Sequence, residues 1–155
     1  MKKTIIYAFV VATISFGNVF AQKKTKTPKI KFESSVSLKI PEPSDIALSP
    51  SGKSFYIVSD NAILFETDLE GNITRKSDVI KGIDFEGVWS DEKYVYVVDE
   101  TTRKIYLMSH KDLKQVRTLN FSYSGGRNKG VESITFNKAK NAFILITESE
   151  PSMIF

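Results

Sequence analysis

From residue 43 onward the chain alternates short apolar runs with clusters of Gly, Pro, Ser, Asp and Asn. Runs at 45–49, 54–59, 62–68 and 72–80 are rich in β-branched and aromatic residues. The intervening Ser49-Pro-Ser-Gly52 and Asp68-Leu-Glu-Gly-Asn72 carry turn residues, so the pattern predicts antiparallel strands. Gly71 supplies the positive φ that the second turn requires. The same alternation returns at 86–90, 93–98, 104–109 and 115–121. No helical periodicity separates the runs, which argues against a parallel α/β fold. A β-sandwich is the rival all-β arrangement.

Three segments are similar to one another. Pro43-Ser-Asp-Ile-Ala-Leu-Ser49 precedes Lys53-Ser-Phe-Tyr-Ile-Val-Ser-Asp60, and Asp84-Phe-Glu-Gly-Val-Trp-Ser90 precedes Lys93-Tyr-Val-Tyr-Val-Val-Asp-Glu100. The third pair is Gly130-Val-Glu-Ser-Ile-Thr-Phe136 and Asn141-Ala-Phe-Ile-Leu-Ile-Thr-Glu148. Asp45, Glu86 and Glu132 align across the three, as do Asp60, Glu100 and Glu148. Four antiparallel strands per ~40–45 residues mark a β-propeller blade.

The expected fold is therefore all-β, a β-propeller of four-stranded blades. About two and a half blades fit, whereas a closed ring takes roughly 4–8. Residues 29–38 read as an extra strand that would complete a last blade. The pattern predicts the N-terminal half of a ring from a truncated frame; a half-ring that pairs with a second copy stays open. Unpaired blade faces and strand edges would be an aggregation liability.

Charge changes the picture once it is located. The 155 residues carry 22 Lys and Arg against 18 Asp and Glu, a surplus that invites a nucleic-acid function. Residues 1–21 run from Met1-Lys-Lys3 through an apolar stretch to Ala21, the pattern of a secretory signal peptide cut after Ala21. An uncleaved membrane anchor is the alternative, although a span wants ~20 apolar residues. Residues 22–31 form a Lys-rich linker with five Lys and no acid, leaving 15 basic and 18 acidic side chains in the domain at 32–155. The folded part is acidic, and nucleic acid is not an expected partner. With no Cys, disulfides, thiolate metal sites, cysteine nucleophiles and a lipid-modified cysteine are excluded.

The repeated acids carry the candidate chemistry. Antiparallel pairing brings the start of a blade's first strand and the end of its second to one edge of the sheet. Asp45, Asp60, Glu86, Glu100, Glu132 and Glu148 would thus converge on one channel mouth, with Asp84 and Asp99 as neighbours. Clustered carboxylates repel unless a cation or donors compensate. Oxygen ligands without His or Cys favour Ca²⁺ or Mg²⁺, and Ca²⁺ tolerates irregular spacing better. The six acids are the candidate Ca²⁺ ligands, with Glu86 and Glu132 foremost. The alternative is that each accepts hydrogen bonds from the neighbouring blade and sets blade register.

Other chemistry is less promising. His110, the single histidine, falls in the turn between third and fourth strands, remote from the mouth, which disfavours a catalytic triad or a histidine metal site. Trp89 is expected to pack between blades, with a ligand platform as the alternative. The loop Ser124-Gly-Gly126 through Arg127, Asn128 and Lys129 could close over an anionic ligand, or serve only as a long connection.

At these residues the chain resembles the SdiA-regulated (YjiK-like) family of exported β-propellers. The resemblance runs through Pro43-Ser-Asp-Ile-Ala-Leu48, Asp68-Leu-Glu-Gly71, Asp84-Phe-Glu-Gly-Val88, Val97-Val-Asp-Glu100, Asn128-Lys-Gly-Val-Glu132 and Thr147-Glu-Ser-Glu-Pro151. It implies a six-bladed propeller of the cell envelope, calcium linkage, and for some members phytase-like or esterase-like activity. It also implies that Glu86, Glu100, Glu132 and Glu148 stand at the channel mouth, and it carries over no catalytic residue.

The combined expectation is an exported, calcium-associated propeller acting as a binding module in the periplasm or envelope. Its partners would be a divalent cation and a small anionic ligand or an envelope protein, with peripheral association with the plasma membrane. The alternatives are a calcium-dependent hydrolase, in which the metal would polarise an ester and activate water, and a truncated chain without function.

Overall fold

The computed structural model describes residues 29–31, 33–122 and 130–147. The expected leader, most of the Lys-rich linker, the loop at 124–129 and Glu148 lie outside the described residues. Contacts divide the chain into Met1–Glu33 and Ser34–Phe155, and the described strands all lie in the second unit.

Strands β1 (Pro43–Leu48), β2 (Phe55–Ser59), β3 (Ile63–Thr67) and β4 (Ile73–Lys76) form one antiparallel sheet in chain order. Strands β5 (Phe85–Ser90), β6 (Val95–Asp99), β7 (Lys104–Met108) and β8 (Gln115–Asn120) form a second sheet of the same design. Strands β9 (Val131–Asn137) and β10 (Ala142–Thr147) pair antiparallel and open a third. The meander blades read from the sequence are present, and the fold is all-β.

Two strand expectations need correction. The fourth strand of blade 1 spans only Ile73–Lys76 rather than 72–80. Its ladder ends where the Ser77 hydroxyl, in place of a backbone carbonyl, accepts the Leu64 amide at 3.0 Å. The described residues of 29–38 form no strand, and Val36 and Leu38 lie unpaired alongside the first sheet, beside Gly71. Gly71 behaves as expected, with φ +85°, and a Cβ there would lie 3.0 Å from Val36 Cγ1.

Alternate residues of each strand face opposite sides of its blade, here called front and rear. On the front of blade 1, Tyr56, Val58 and Leu64 pack against Phe85, Val88, Val97 and Met108 of blade 2 in one buried cluster. On the front of blade 2, Tyr96, Val98 and Leu107 meet Val131, Ile134 and Leu145 of blade 3 in another. Each fully buried aliphatic side chain contributes roughly 1.5–3 kcal/mol, so these two junctions hold the blades together. Trp89 lies between blades 2 and 3 as expected, stacked on Phe136 at 5.2 Å with the edge of Phe143 at 5.7 Å.

The first strand of every blade starts with a bulge. Pro43 pairs with Ser59 and Asp45 with Val58, leaving Ser44 extra. Phe85 pairs with Asp99 and Gly87 with Val98, leaving Glu86 extra. Val131 pairs with Thr147 and Ser133 with Ile146, leaving Glu132 extra. The residue equivalent to Glu86 and Glu132 is therefore Ser44; Asp45 stands one position further on, at the place of Gly87 and Ser133. Asp60 remains the counterpart of Glu100.

Candidate functional site

The ends of β2 and β6 and the starts of β1, β5 and β9 gather acids at one edge of the blades. Asp60 opens the turn after β2, Asp84 closes the connection into β5, and Glu86 is the β5 bulge residue. One carboxylate oxygen from each lies within 4.8 Å of the other two. Asp84 and Glu86, two apart on extended chain, lie on one side across Phe85.

Backbone contacts fix the group. The Asp60 amide donates to the Glu42 carbonyl at 3.2 Å, and its Oδ1 accepts the Ser44 hydroxyl. The Asp84 carbonyl accepts the Glu100 amide at 3.0 Å, and the Asp84 amide donates to Asp99 Oδ1 at 3.3 Å. Asp99 is fully buried and also accepts the amides of Thr101 at 3.0 Å and Thr102 at 3.3 Å together with the Thr102 hydroxyl. It caps its own turn. Oδ1 of Asp84 is buried and has no hydrogen-bond partner among the described residues. Such an atom costs stability unless something satisfies it.

The electrostatics point the same way. Burial first, and then the charges of Glu132, Asp60, Asp84 and Glu100, push the Glu86 carboxyl up to about 8. Asp84 is also raised, by burial and then by Asp60, Glu100, Asp99 and Glu42. Carboxylates so placed hold a proton or a cation more readily than dispersed ones do.

The other acids proposed from sequence have separate positions. Asp45 accepts the amide of Ile46 at 2.8 Å and, across the blade junction, that of Val88 at 2.9 Å. Glu100 is buried, and its Oε1 accepts the Gly130 amide at 3.1 Å, fastening blade 2 to the entry of β9. Glu132 is the β9 bulge residue and adds its charge to the field at Glu86. Glu148 lies outside the described residues. Asp84 entered the sequence argument only as a neighbour. Its signal was the spacing of Asp84 and Glu86, two apart on extended chain and hence able to share a side.

His110 sits at the opposite end of the strands, in the β7–β8 turn. Its Nε2 donates to the Asp91 carbonyl at 2.7 Å, so in the neutral ring Nδ1 accepts the Tyr56 hydroxyl at 2.9 Å. Beside it lies a cavity of about 350 Å³ lined in part by Ser54, Tyr56, Glu66, Arg75 and His110. The Arg75 guanidinium there bonds Glu66 and the carbonyls of His110 at 2.8 Å and Lys111 at 2.6 Å. These polar groups engage one another and clamp blade 1 to blade 2.

The sequence profile of a family described as SdiA-regulated matches residues 29–155. No curated protein matches the chain. Among solved structures, the chain is similar to the β-propeller domain of Myceliophteria thermophila Cps50 (Swd1), at 16% identity and TM-score 0.51 over 72% of this chain and 34% of that one. It is similar to Kuenenia stuttgartiensis hydrazine synthase at 13% identity and TM-score 0.54, over 77% and 32% of the two chains. Dihydro-heme d1 dehydrogenase NirN in complex with DHE gives 16% identity and TM-score 0.51, over 70% and 24%. The chain thus spans about a quarter to a third of the length of these structures, and the likeness concerns the propeller fold.

Proposed function

The chain belongs to the SdiA-regulated family, and on that premise we propose that it is an exported β-propeller binding module whose mouth acids hold a divalent cation, Ca²⁺ foremost. The observation that carries the reading is the buried, unpartnered Oδ1 of Asp84 beside the carboxylates of Asp60 and Glu86. The residues fit the ion: the three are hard oxygen donors, and the single histidine lies at the other end of the strands. Asp60, Asp84 and Glu86 would hold the cation, with Glu132 adding negative potential. A bound Ca²⁺ would neutralise the group and offer remaining coordination positions to the oxygens of an anionic ligand or an envelope protein.

Export rests on the leader-like residues 1–21, and placement in the periplasm or at the plasma-membrane surface follows from it. The hydrolase reading would need cationic groups facing the acids; its candidates in the sequence are Arg127 and Lys129 alone.

Thermal unfolding of the protein with increasing Ca²⁺ tests the proposal. A ligand at a hundredfold excess over its Kd stabilises by about 2.7 kcal/mol. The midpoint should therefore rise in the wild type and stay fixed in Asp84→Asn. A wild-type midpoint indifferent to millimolar Ca²⁺, or an Asp84→Asn variant that responds as strongly, would overturn it.

A further inference from the structure

The ladders make Ser59, Asp99 and Thr147 equivalent. Each ends the second strand of its blade, pairs with the first residue of the strand before it, and is buried. Blades 1 and 3 place a hydroxyl side chain there, and blade 2 places an acid. A buried acid is costly unless hydrogen bonds satisfy it, and those of Asp99 occupy both oxygens. Oδ1 accepts the amides of Asp84 at 3.3 Å and Thr101 at 3.0 Å, and Oδ2 accepts the Thr102 amide at 3.3 Å and the Thr102 hydroxyl. Three of these bonds stay in the turn after β6; the fourth reaches back to the residue before β5. The Asp84 carbonyl is held too, by the Glu100 amide at 3.0 Å. Two successive residues thus pin both polar groups of the backbone from which the Asp84 side chain projects.

Blade 1 shows the same place without the acid. Glu42 stands before β1 as Asp84 stands before β5, and its carbonyl likewise accepts the Asp60 amide, at 3.2 Å. Ser59 stands for Asp99, and its buried Oγ has no hydrogen-bond partner among the described residues, so it does not hold the Glu42 amide. Glu42 adopts φ +45°, and its carboxylate turns to the Asn61 side-chain amide at 3.0 Å. Asp84 keeps out of the left-handed region and brings a carboxylate oxygen within 4.8 Å of those of Asp60 and Glu86. We propose that Asp99 is a positioning residue of the cation site, holding the Asp84 backbone so that its carboxylate meets those of Asp60 and Glu86. The inference rests on the cation reading of those three acids.

Calorimetric titration with Ca²⁺ of the wild type, Asp84→Asn, Asp99→Ser, Asp99→Asn and the double variant Asp84→Asn/Asp99→Ser tests it. Serine is the residue blade 1 carries at this place and does not reach the preceding amide. Asp99→Ser should bind Ca²⁺ about 10–100-fold more weakly, as losing a group that orients a metal ligand does. Asp99→Asn keeps a side-chain oxygen for the Asp84 amide and should recover most of that loss. In the Asp84→Asn background Asp99→Ser should cost little more, because the carboxylate it orients is gone. Hydrogen exchange in chelator supplies a readout without metal: the Asp84 amide should be protected in the wild type and in Asp99→Asn, and fast in Asp99→Ser. An unprotected wild-type amide overturns the proposal even where Asp99→Ser fails to fold. A wild type that binds Ca²⁺ through Asp84 while Asp99→Ser binds equally well overturns it and leaves the cation reading standing. Equal losses in Asp99→Ser and Asp99→Asn, or a loss undiminished in the Asp84→Asn background, would mean that Asp99 acts by its charge and overturn it as well. A wild type that binds no Ca²⁺ at millimolar concentration overturns the cation reading and this inference with it.

Discussion

The Asp45 carboxylate accepts the backbone amide of Val88 at 2.9 Å, so an acid on the first strand of one blade holds the first strand of the next. Its second oxygen accepts the Ile46 amide at 2.8 Å. Of the two roles open to the repeated acids, blade register is the one these contacts describe for Asp45. Asp60, Asp84 and Glu86 have the geometry suited to a cation.

Replacing Asp45 separates those roles. Asp45→Ala leaves the Val88 amide buried without its acceptor, a loss of about 1–3 kcal/mol. Denaturant unfolding should show it, while the Ca²⁺-induced rise in midpoint persists. Asp45→Asn keeps an acceptor oxygen and should cost less.

At the corresponding position of blade 2 stands Gly87, where a Cβ would lie 3.1 Å from the Ile134 nitrogen and 3.1 Å from Ser133 Cα. Both are backbone atoms and cannot turn aside. Gly87→Ala should push β9 away and destabilise by about 1–3 kcal/mol, as overpacking does. The fluorescence of Trp89, which stacks on Phe136 across this junction, should shift in the folded variant.

The blades were legible in the sequence because strand period, turn residues and a repeat of some forty residues all agreed. The site was less so. Lining up acids by type paired Asp45 with Glu86, but a bulge inserts one residue without changing composition, and the ladder makes Ser44 the counterpart. The part of Asp84 was hidden for a different reason: it opens its aligned segment, but its counterparts in the other two are Pro43 and Gly130, so no repeated acid marked the position. The fourth strand was overread because Ser77 leaves the ladder through its side chain, which apolar periodicity does not reveal.

Acidity should tune stability through Glu86, whose carboxyl is pushed up to about 8 by burial and neighbouring carboxylates. An acid with a raised folded-state pKa binds its proton more tightly when folded. Its contribution is full below the ordinary carboxylate range and is lost as pH climbs towards 8. In chelator, the unfolding midpoint should fall from pH 5 to pH 8, to an extent reduced in Glu86→Gln. Ca²⁺ should restore more stability at the alkaline end.

The clamp on the other side of the blades offers a control. Arg75→Ala removes the guanidinium bonds to Glu66 and to the carbonyls of His110 and Lys111. Bonds to charged groups are worth roughly 1.5–3 kcal/mol, so urea unfolding should show a loss of about that size. The Ca²⁺ response should be unchanged, since the acids lie at the opposite end of the strands.

The most direct test of the cation site is anomalous diffraction from crystals grown with Ca²⁺. The account predicts one peak bounded by the carboxylates of Asp60, Asp84 and Glu86, missing from crystals of Asp84→Asn. A peak elsewhere, or none at a Ca²⁺ concentration that raises the unfolding midpoint, would contradict it.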